Sequence, residues 1–225
     1  MPAVLLLSGG LDSLVAAYAA RAEHSPVLGV TFDYGQRSAA REAETALQVC
    51  AELGAIHRLI KLPWLARLAP AALTAAAYDV SAADDPSVWV PARNAVFVSI
   101  AAAFAEAMDC NGIVCGFNAE EAEAFPDNSP EFVRRCEAML ELGARNAPTL
   151  VCPTLRLKKA EIVRLGLQVG APLHLVWSCY GAGPAHCWKC PSCRRLRRAL
   201  EDAGHWDAWQ DSRAATGVDA GRGGM

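Results

Sequence analysis

The chain has 225 residues, 53% of them hydrophobic, enough for one compact domain with a buried core and too few for a second large one. Its formal net charge of -3 excludes the strong basic excess of a protein that coats nucleic acid or an anionic membrane. Nine cysteines, an odd number, suit thiols or metal ligands better than disulfides.

The amino-terminal apolar run lacks the basic flank and small-residue cleavage site of a secretory signal. No segment approaches the about 20 unbroken apolar residues of a membrane-spanning helix, so a soluble cytoplasmic protein is expected.

Apolar runs and helical periodicity alternate from the start. Ala3 to Leu7 reads as a strand, Ser13 to Ala22 as a helix and Val27 to Phe32 as a second strand. Ser38 is placed to cap a helix from Ala39 to Leu53 that ends at Gly54, and Ile56 to Leu62 supplies a third strand. Trp64 to Tyr78 reads as helix in pieces and Asp79 to Pro91 as a loop. Asn94 to Met108 is an Ala-rich helix, Gly112 to Cys115 a short buried strand, and Gly116 to Ser129 a polar loop. A helix from Pro130 to Arg145, a strand from Thr149 to Thr154 and a helix from Leu157 to Val169 follow. Cys179 to Cys193 is an irregular Cys-rich knuckle, Pro191 to Ala203 a last helix, and the Gly-, Ala- and Asp-rich tail from Asp211 reads as disordered.

Strands alternating with crossover helices predict a doubly wound, mostly parallel α/β sheet, with ligands at the carboxyl ends of its strands. Residues 1–172 form the nucleotide-binding core. Residues 173–210, the knuckle and its helix, pack as part of the same domain, ahead of the 211–225 tail.

The stretch Leu7-Ser8-Gly9-Gly10-Leu11-Asp12-Ser13-Leu14 lies where a strand turns into a helix. Two glycines permit close backbone approach, unpaired N–H groups and the helix dipole attract an anion, and the serine hydroxyls add donors. It is neither a Walker A loop nor a G-x-G-x-x-G turn. It resembles the S-G-G-x-D-S motif of the PP-loop superfamily. That resemblance implies a grip on the β- and γ-phosphates of ATP while the α-phosphate is attacked, with Asp12 organising Mg2+.

Cys179, Cys187, Cys190 and Cys193 supply four thiolates in a short stretch, enough to close a tetrahedral structural Zn2+ site. The competing reading, a ferredoxin-type iron–sulfur run, needs a fourth Cys where Arg197 stands. His186 reads as a hydrogen-bonding or solvated neighbour. The other five cysteines read as small buried residues.

Loop and knuckle together resemble the 7-cyano-7-deazaguanine synthase family, from about Ala3 to Leu200. Five stretches carry the likeness: Ser8 to Ser13; Thr31-Phe32-Asp33-Tyr34-Gly35-Gln36-Arg37; Val90-Pro91-Ala92-Arg93-Asn94; Lys159-Ala160-Glu161; and Cys179-Tyr180 with the three later cysteines. The resemblance implies a ligase that makes the nitrile from 7-carboxy-7-deazaguanine and ammonia, using two molecules of ATP. It implies that Asp12, Arg93 and Lys159 are catalytic and that Phe32 and Gln36 join the loop in binding nucleotide. Tyr34, Asn94, Phe125 and Asp127 are then the base contacts. Blander readings stand beside these: Arg93 bracing its helix, Lys159 solvated beside Lys158, Asn94 an N-cap, Phe32 core.

The chain departs from the family pattern twice. Ala92 replaces the glycine of Pro-Gly-Arg-Asn, so the turn is not expected to use glycine's φ freedom. Phe117 to Asn128 differs from C-E-T-D-x-S-G-Y-P-D-C, and Glu120, Glu121 and Glu123 there read as solvated or near magnesium. The alternatives are another PP-loop adenylating enzyme, for tRNA thiolation or amide synthesis, or a non-catalytic zinc-knuckle binding module. Arg194, Arg195, Arg197 and Arg198 form a basic helix read as a solvated face or the contact of a homodimer, without a direct nucleic-acid or membrane partner.

Overall fold

The short apolar runs become strands of a single parallel sheet. The computed structural model describes residues 1–68, 72–75, 78–83 and 86–216. Strands β1 (Pro2–Leu6), β2 (Ser25–Asp33), β3 (Ile56–Lys61), β4 (Gly112–Val114) and β5 (Thr149–Val151) pair in the order β3-β2-β1-β4-β5, every neighbour parallel. The helices in chain order are α1 (Leu11–Ala20), α2 (Ala39–Leu53), α3 (Pro63–Leu68), α4 (Arg93–Ala107), α5 (Ala119–Ala124), α6 (Pro130–Gly143), α7 (Lys159–Gln168), α8 (Pro191–Asp202) and α9 (Trp206–Thr216).

The period of two along β1 divides the core between the two faces of the sheet. Ala3, Leu5 and Leu7 pack with α1, α2, α7 and α8 through Val15, Val49, Ile162 and Leu200. Val4 packs on the opposite side with Leu28, Val30, Ala101 and Val133 from β2, α4 and α6. The chain builds outward from β1 to β3 and then resumes on the other side of β1 with β4. That places the topological switch point between β1 and β4, where α/β sheets bind ligands.

Several sequence expectations are corrected. The polar loop from Gly116 contains α5, because the buried Asn118 accepts the Glu121 N–H at 2.9 Å and two glutamates sit in the first turn, where the helix dipole favours them. The expected tail from Asp211 is helical as far as Thr216. In α9, Trp209 and Arg213 are buried, with the Trp209 indole donating to the Leu173 carbonyl at 2.7 Å and the Arg213 guanidinium to His174 and Val176 carbonyls at 2.7 and 3.2 Å. Residues 217–225 lie outside the described residues. Ser38 precedes α2 without capping it, its hydroxyl donating instead to Glu42 Oε1 at 2.6 Å, while Gly54 closes the helix with φ 67°. Pro86–Ala107, 22 residues with hydropathy 1.5, is long and apolar enough by composition to cross a membrane, against the expectation that no segment approaches that length. Val98, Ala101, Ala102 and Ala105 of this stretch belong to the core beneath the sheet.

Candidate active site

The phosphate loop emerges from β1 at the switch point. Its course needs glycine: Gly9 has φ +71°, and a Cβ there would stand 2.9 Å from the Glu42 carbonyl oxygen. The serine hydroxyls lock the turn, with Ser8 Oγ and Ser13 Oγ 3.0 Å apart, the Ser8 N–H donating to Ser13 Oγ at 3.2 Å and the Gly10 N–H to Ser8 Oγ at 3.3 Å. The chain after β4 presses close, since a Cβ on Gly116 would come within 2.4 Å of Ser13 N. From behind, the Trp177 N–H donates to the Gly9 carbonyl at 2.9 Å, which ties the loop to the segment entering the knuckle.

A cavity of about 270 Å³ opens in front of the loop. Leu7, Ser8, Gly10, Leu11, Asp12 and Ser13 line it, together with Phe32, Tyr34, Arg93, Asn94, Phe125, Asp127 and Lys159. Three expected nucleotide contacts do not. Leu14 is wholly buried in the core, Gly9 packs against Glu42 and Thr45, and Gln36 spends its amide on the Tyr34 N–H, the Phe32 carbonyl and Glu42, at 2.9, 2.8 and 2.8 Å. Gln36 braces the end of β2.

Lys159, first residue of α7, is buried rather than solvated beside Lys158. Its Nζ donates to Asp12 Oδ2 at 2.5 Å and Glu121 Oε1 at 2.7 Å, while its backbone N–H donates to Glu120 Oε1 at 3.0 Å. Burial opposes the lysine charge, but the two carboxylates outweigh it and hold the ammonium above its ordinary range. The carboxylates themselves move apart. Burial raises Asp12, an effect Lys159 only partly offsets, whereas Lys159, with Arg195 and Arg93 behind it, overcomes burial at Glu121 and holds it at about 2. Neighbouring charge accounts for the split, since Glu121 and Glu120 add to the burial that raises Asp12 while the arginines reach Glu121. Asp12 Oδ1 is buried with no hydrogen-bond partner among the described residues.

Arg93 opens α4 and reaches Tyr34, its Nη1 donating to the phenol oxygen at 3.3 Å with the guanidinium 5.8 Å from the ring centroid. The turn before it corrects the sequence expectation: Ala92 adopts φ 53° and ψ 21°, the left-handed conformation a glycine would take without strain. Asn94 does not cap the helix. Its Nδ2 donates to the Asp127 carbonyl at 3.2 Å and joins α4 to the turn at Pro126–Asn128. Burial raises the Asp127 carboxyl, with Arg93 opposing. Phe32 stacks on Phe97 at 4.0 Å between centroids while also facing the cavity.

Sequence reasoning missed the pairing of Glu121 with Lys159 and the cavity positions of Trp89, Trp177, Tyr180 and Arg195, the last donating to the Tyr180 hydroxyl at 2.9 Å. One signal was available for Glu121: Asn118 and Glu121 have the spacing of a helix cap.

The knuckle gathers Cys179, Cys187, Cys190 and Cys193 with all four Sγ atoms within 4.8 Å of one another, and Cys187 Sγ to Cys193 Sγ at 3.9 Å. Backbone N–H groups of Gly181, Lys189, Cys190 and Cys193 point at these sulfurs at 3.3–3.5 Å, an arrangement that stabilises thiolates. His186 stays out of the cluster. It is buried between Trp177 and Trp188, and its Nε2 accepts the Ser178 N–H at 3.2 Å.

A Ser-Gly-Gly turn at the switch point of an all-parallel sheet makes this a PP-loop fold. U34-tRNA thiolase NcsA from Methanococcus maripaludis, solved with its [4Fe-4S] cluster, shares that fold at TM-score 0.50 and 16% identity, the match covering 96% of this chain and 71% of that one. The family model of queuosine biosynthesis protein QueC matches residues 2–204, and the chain belongs to this family. Among its relatives, 7-cyano-7-deazaguanine synthase of Pelotomaculum thermopropionicum is 43% identical over 91% of this chain and 98% of its own length. The enzyme of the same name from Methanothermobacter thermautotrophicus is 44% identical over 91% and 96%.

Proposed function

We propose that the chain is a cytoplasmic, ATP-dependent carbon–nitrogen ligase that converts 7-carboxy-7-deazaguanine and ammonia to 7-cyano-7-deazaguanine. A carboxylate is a poor electrophile. Transfer of AMP from ATP to its oxygen, with loss of pyrophosphate, creates a leaving group that ammonia displaces to give the amide. Transfer of a second AMP to the amide oxygen lets that oxygen depart as AMP and leaves the nitrile. Both activations build negative charge on phosphate, which calls for fixed donors rather than a protein nucleophile.

The residues suit those demands. The loop offers the N–H groups at the start of α1 and the Ser8 and Ser13 hydroxyls to the pyrophosphate, while those hydroxyls hold the Ser8 and Gly10 N–H groups in place. Lys159 and Arg93 hold positive charge toward the reacting phosphate and carboxylate, and the Tyr34, Asn94, Phe125 and Asp127 side of the same cavity receives the base. The unpartnered Oδ1 of Asp12 fits Mg2+, which when bound offsets phosphate charge. The four sulfurs fit one tetrahedral Zn2+, whose Zn–S distance of about 2.3 Å spaces ligands much as Cys187 and Cys193 are spaced, and they lie too close together to enclose an iron–sulfur cube. With four thiolates the zinc has no open position, so its part is structural. The acceptor is a free base, and neither RNA nor a membrane takes part.

The observation that carries this reading is that the phosphate loop, Lys159 and Arg93 line one cavity with the aromatic and acidic side chains of residues 117–128. The test is incubation of the purified protein with 7-carboxy-7-deazaguanine, ammonium and MgATP, with products read by mass spectrometry. AMP, pyrophosphate and a nitrile-bearing base are expected. AMP formed only when tRNA is added would overturn the assignment, and metal analysis is expected to return about one zinc per chain.

A further inference from the structure

Trp89 was not among the residues that the sequence singled out, yet it lines the active-site cavity while 39% of its surface stays exposed. A tryptophan buries much of its surface in a core when it only serves stability. Its ring lies nearly parallel to Phe125, with an interplanar angle of 13° and centroids 6.1 Å apart. The Phe32–Phe97 pair in the same cavity wall shows what closed stacking looks like here, at 4.0 Å and 8°. A flat ring held between two others needs two contacts of about 3.5 Å each, a span of about 7 Å, so Trp89 and Phe125, an offset pair with centroids 6.1 Å apart, part by about 1 Å to admit one.

The two rings stand on braced supports. The Trp89 N–H donates to the Pro86 carbonyl, and the Phe125 N–H donates to Glu121 at 2.8 Å. Asn94 joins the two segments through the Asp127 carbonyl. Arg93 and Asp127 line the same cavity and bring charged groups of both signs for the edge of a polar heterocycle.

We infer that Trp89 and Phe125 form an aromatic clamp that takes the planar heterocycle of the acceptor between them, making Trp89 a specificity-determining residue. The inference rests on the ligase reading of this site, and it adds the face of the base to the edge contacts already described.

The test is steady-state kinetics of Trp89→Ala and Trp89→Phe. For Trp89→Ala, KM for 7-carboxy-7-deazaguanine is expected to rise about 10-fold, or about 1.4 kcal/mol, in the range of base–aromatic stacking, with KM for ATP within about 2-fold of the parent. Trp89→Phe is expected to recover most of the loss, because an aromatic face is restored. Thermal unfolding of both variants checks that the fold is kept. Turnover by the parent enzyme with an unchanged acceptor KM in Trp89→Ala overturns the clamp alone, as does a rise confined to ATP. Failure of the parent enzyme to act on the acid overturns the ligase reading, and the clamp's ligand with it.

Discussion

The two walls of the cavity are built in different ways. The phosphate wall is local: six consecutive residues, turned by Gly9 and locked by the Ser8–Ser13 contact, present their groups within one strand-to-helix turn. The base wall is assembled from two segments, Trp89 to Asn94 and Phe117 to Asn128, joined where Asn94 reaches the Asp127 carbonyl. A local wall is fixed by its own sequence, because nearly every atom that shapes it lies in the motif. An assembled wall tolerates change in one segment so long as the joint and the facing rings are kept, and the divergence of this chain falls in such a wall.

The largest effect expected tests whether the phosphate wall is as local as its sequence suggests. The Trp177 N–H holds the Gly9 carbonyl, and Trp177 leads directly into the cysteine cluster. Cys190→Ser is therefore expected to lose its metal, worth about 10 kcal/mol or more to the knuckle. Its thermal midpoint should fall by about 10 °C or more, and KM for ATP should rise as the loop loosens. Full metal content with an unchanged midpoint would show that Cys190 is not a ligand, and loss of metal with an unchanged midpoint that the metal does not hold the knuckle.

Asp12→Asn ranks next. AMP formation is expected to fall by about 100- to 1,000-fold, while the thermal midpoint stays near that of the parent. The sign of its pH linkage follows from the raised pKa of Asp12: the folded state favours the protonated form, and that contribution is full below the ordinary 3.8 and lost as pH rises through the folded value. At neutral pH the cost of the ionised, buried Asp12 and its pairing with the Lys159 ammonium oppose each other, so the amide removes the one and forfeits the other. A large drop in midpoint would mean that Asp12 serves the fold rather than the reaction.

Glu121→Gln sharpens the contrast, since this carboxylate on the same ammonium has the opposite sign. Its folded pKa of about 2 lies below the ordinary 4.5, so its contribution is full above 4.5 and disappears as pH falls through about 2. The variant is expected to lose about 3 kcal/mol at pH 7. That loss should shrink between pH 4.5 and 2, as measured by denaturant unfolding across the range. A loss that does not vary with pH would point to packing rather than charge.

What was legible in the sequence follows the same division. The parallel sheet, the phosphate loop and the four-cysteine cluster were readable, because each depends on a pattern local to the chain: the short apolar run of β1 followed by a helical period, Ser-Gly-Gly between them, and Cys187-x-x-Cys190-x-x-Cys193. Lys159 could be named by resemblance, but its two carboxylate partners lie 147 and 38 residues away and no spacing connects them. Gln36 sat inside a resembling stretch and yet braces β2, since a motif does not say which of its residues face the ligand. Helix α9 went unread because its holding contacts are a tryptophan and a buried arginine donating to carbonyls about 36 to 39 residues distant, which leaves no apolar stripe.

The smallest effect concerns the joint of the base wall. Ala92 holds φ 53°, a left-handed conformation that costs a residue with a Cβ roughly 1–2 kcal/mol and glycine almost nothing. Glycine gives part of that back through the greater freedom of its unfolded chain. Ala92→Gly is therefore expected to stabilise the protein by about 0.5–1 kcal/mol, read as a higher denaturant midpoint at unchanged slope. The fold then keeps Ala92 against a local penalty, and the Asn94–Asp127 joint two residues on is expected to offset it. Asn94→Ala should relax the turn and erase the gain from Ala92→Gly, so that the double variant is no more stable than Asn94→Ala alone. Additive effects of the two changes would separate the turn from the joint and leave the base wall as two independent segments.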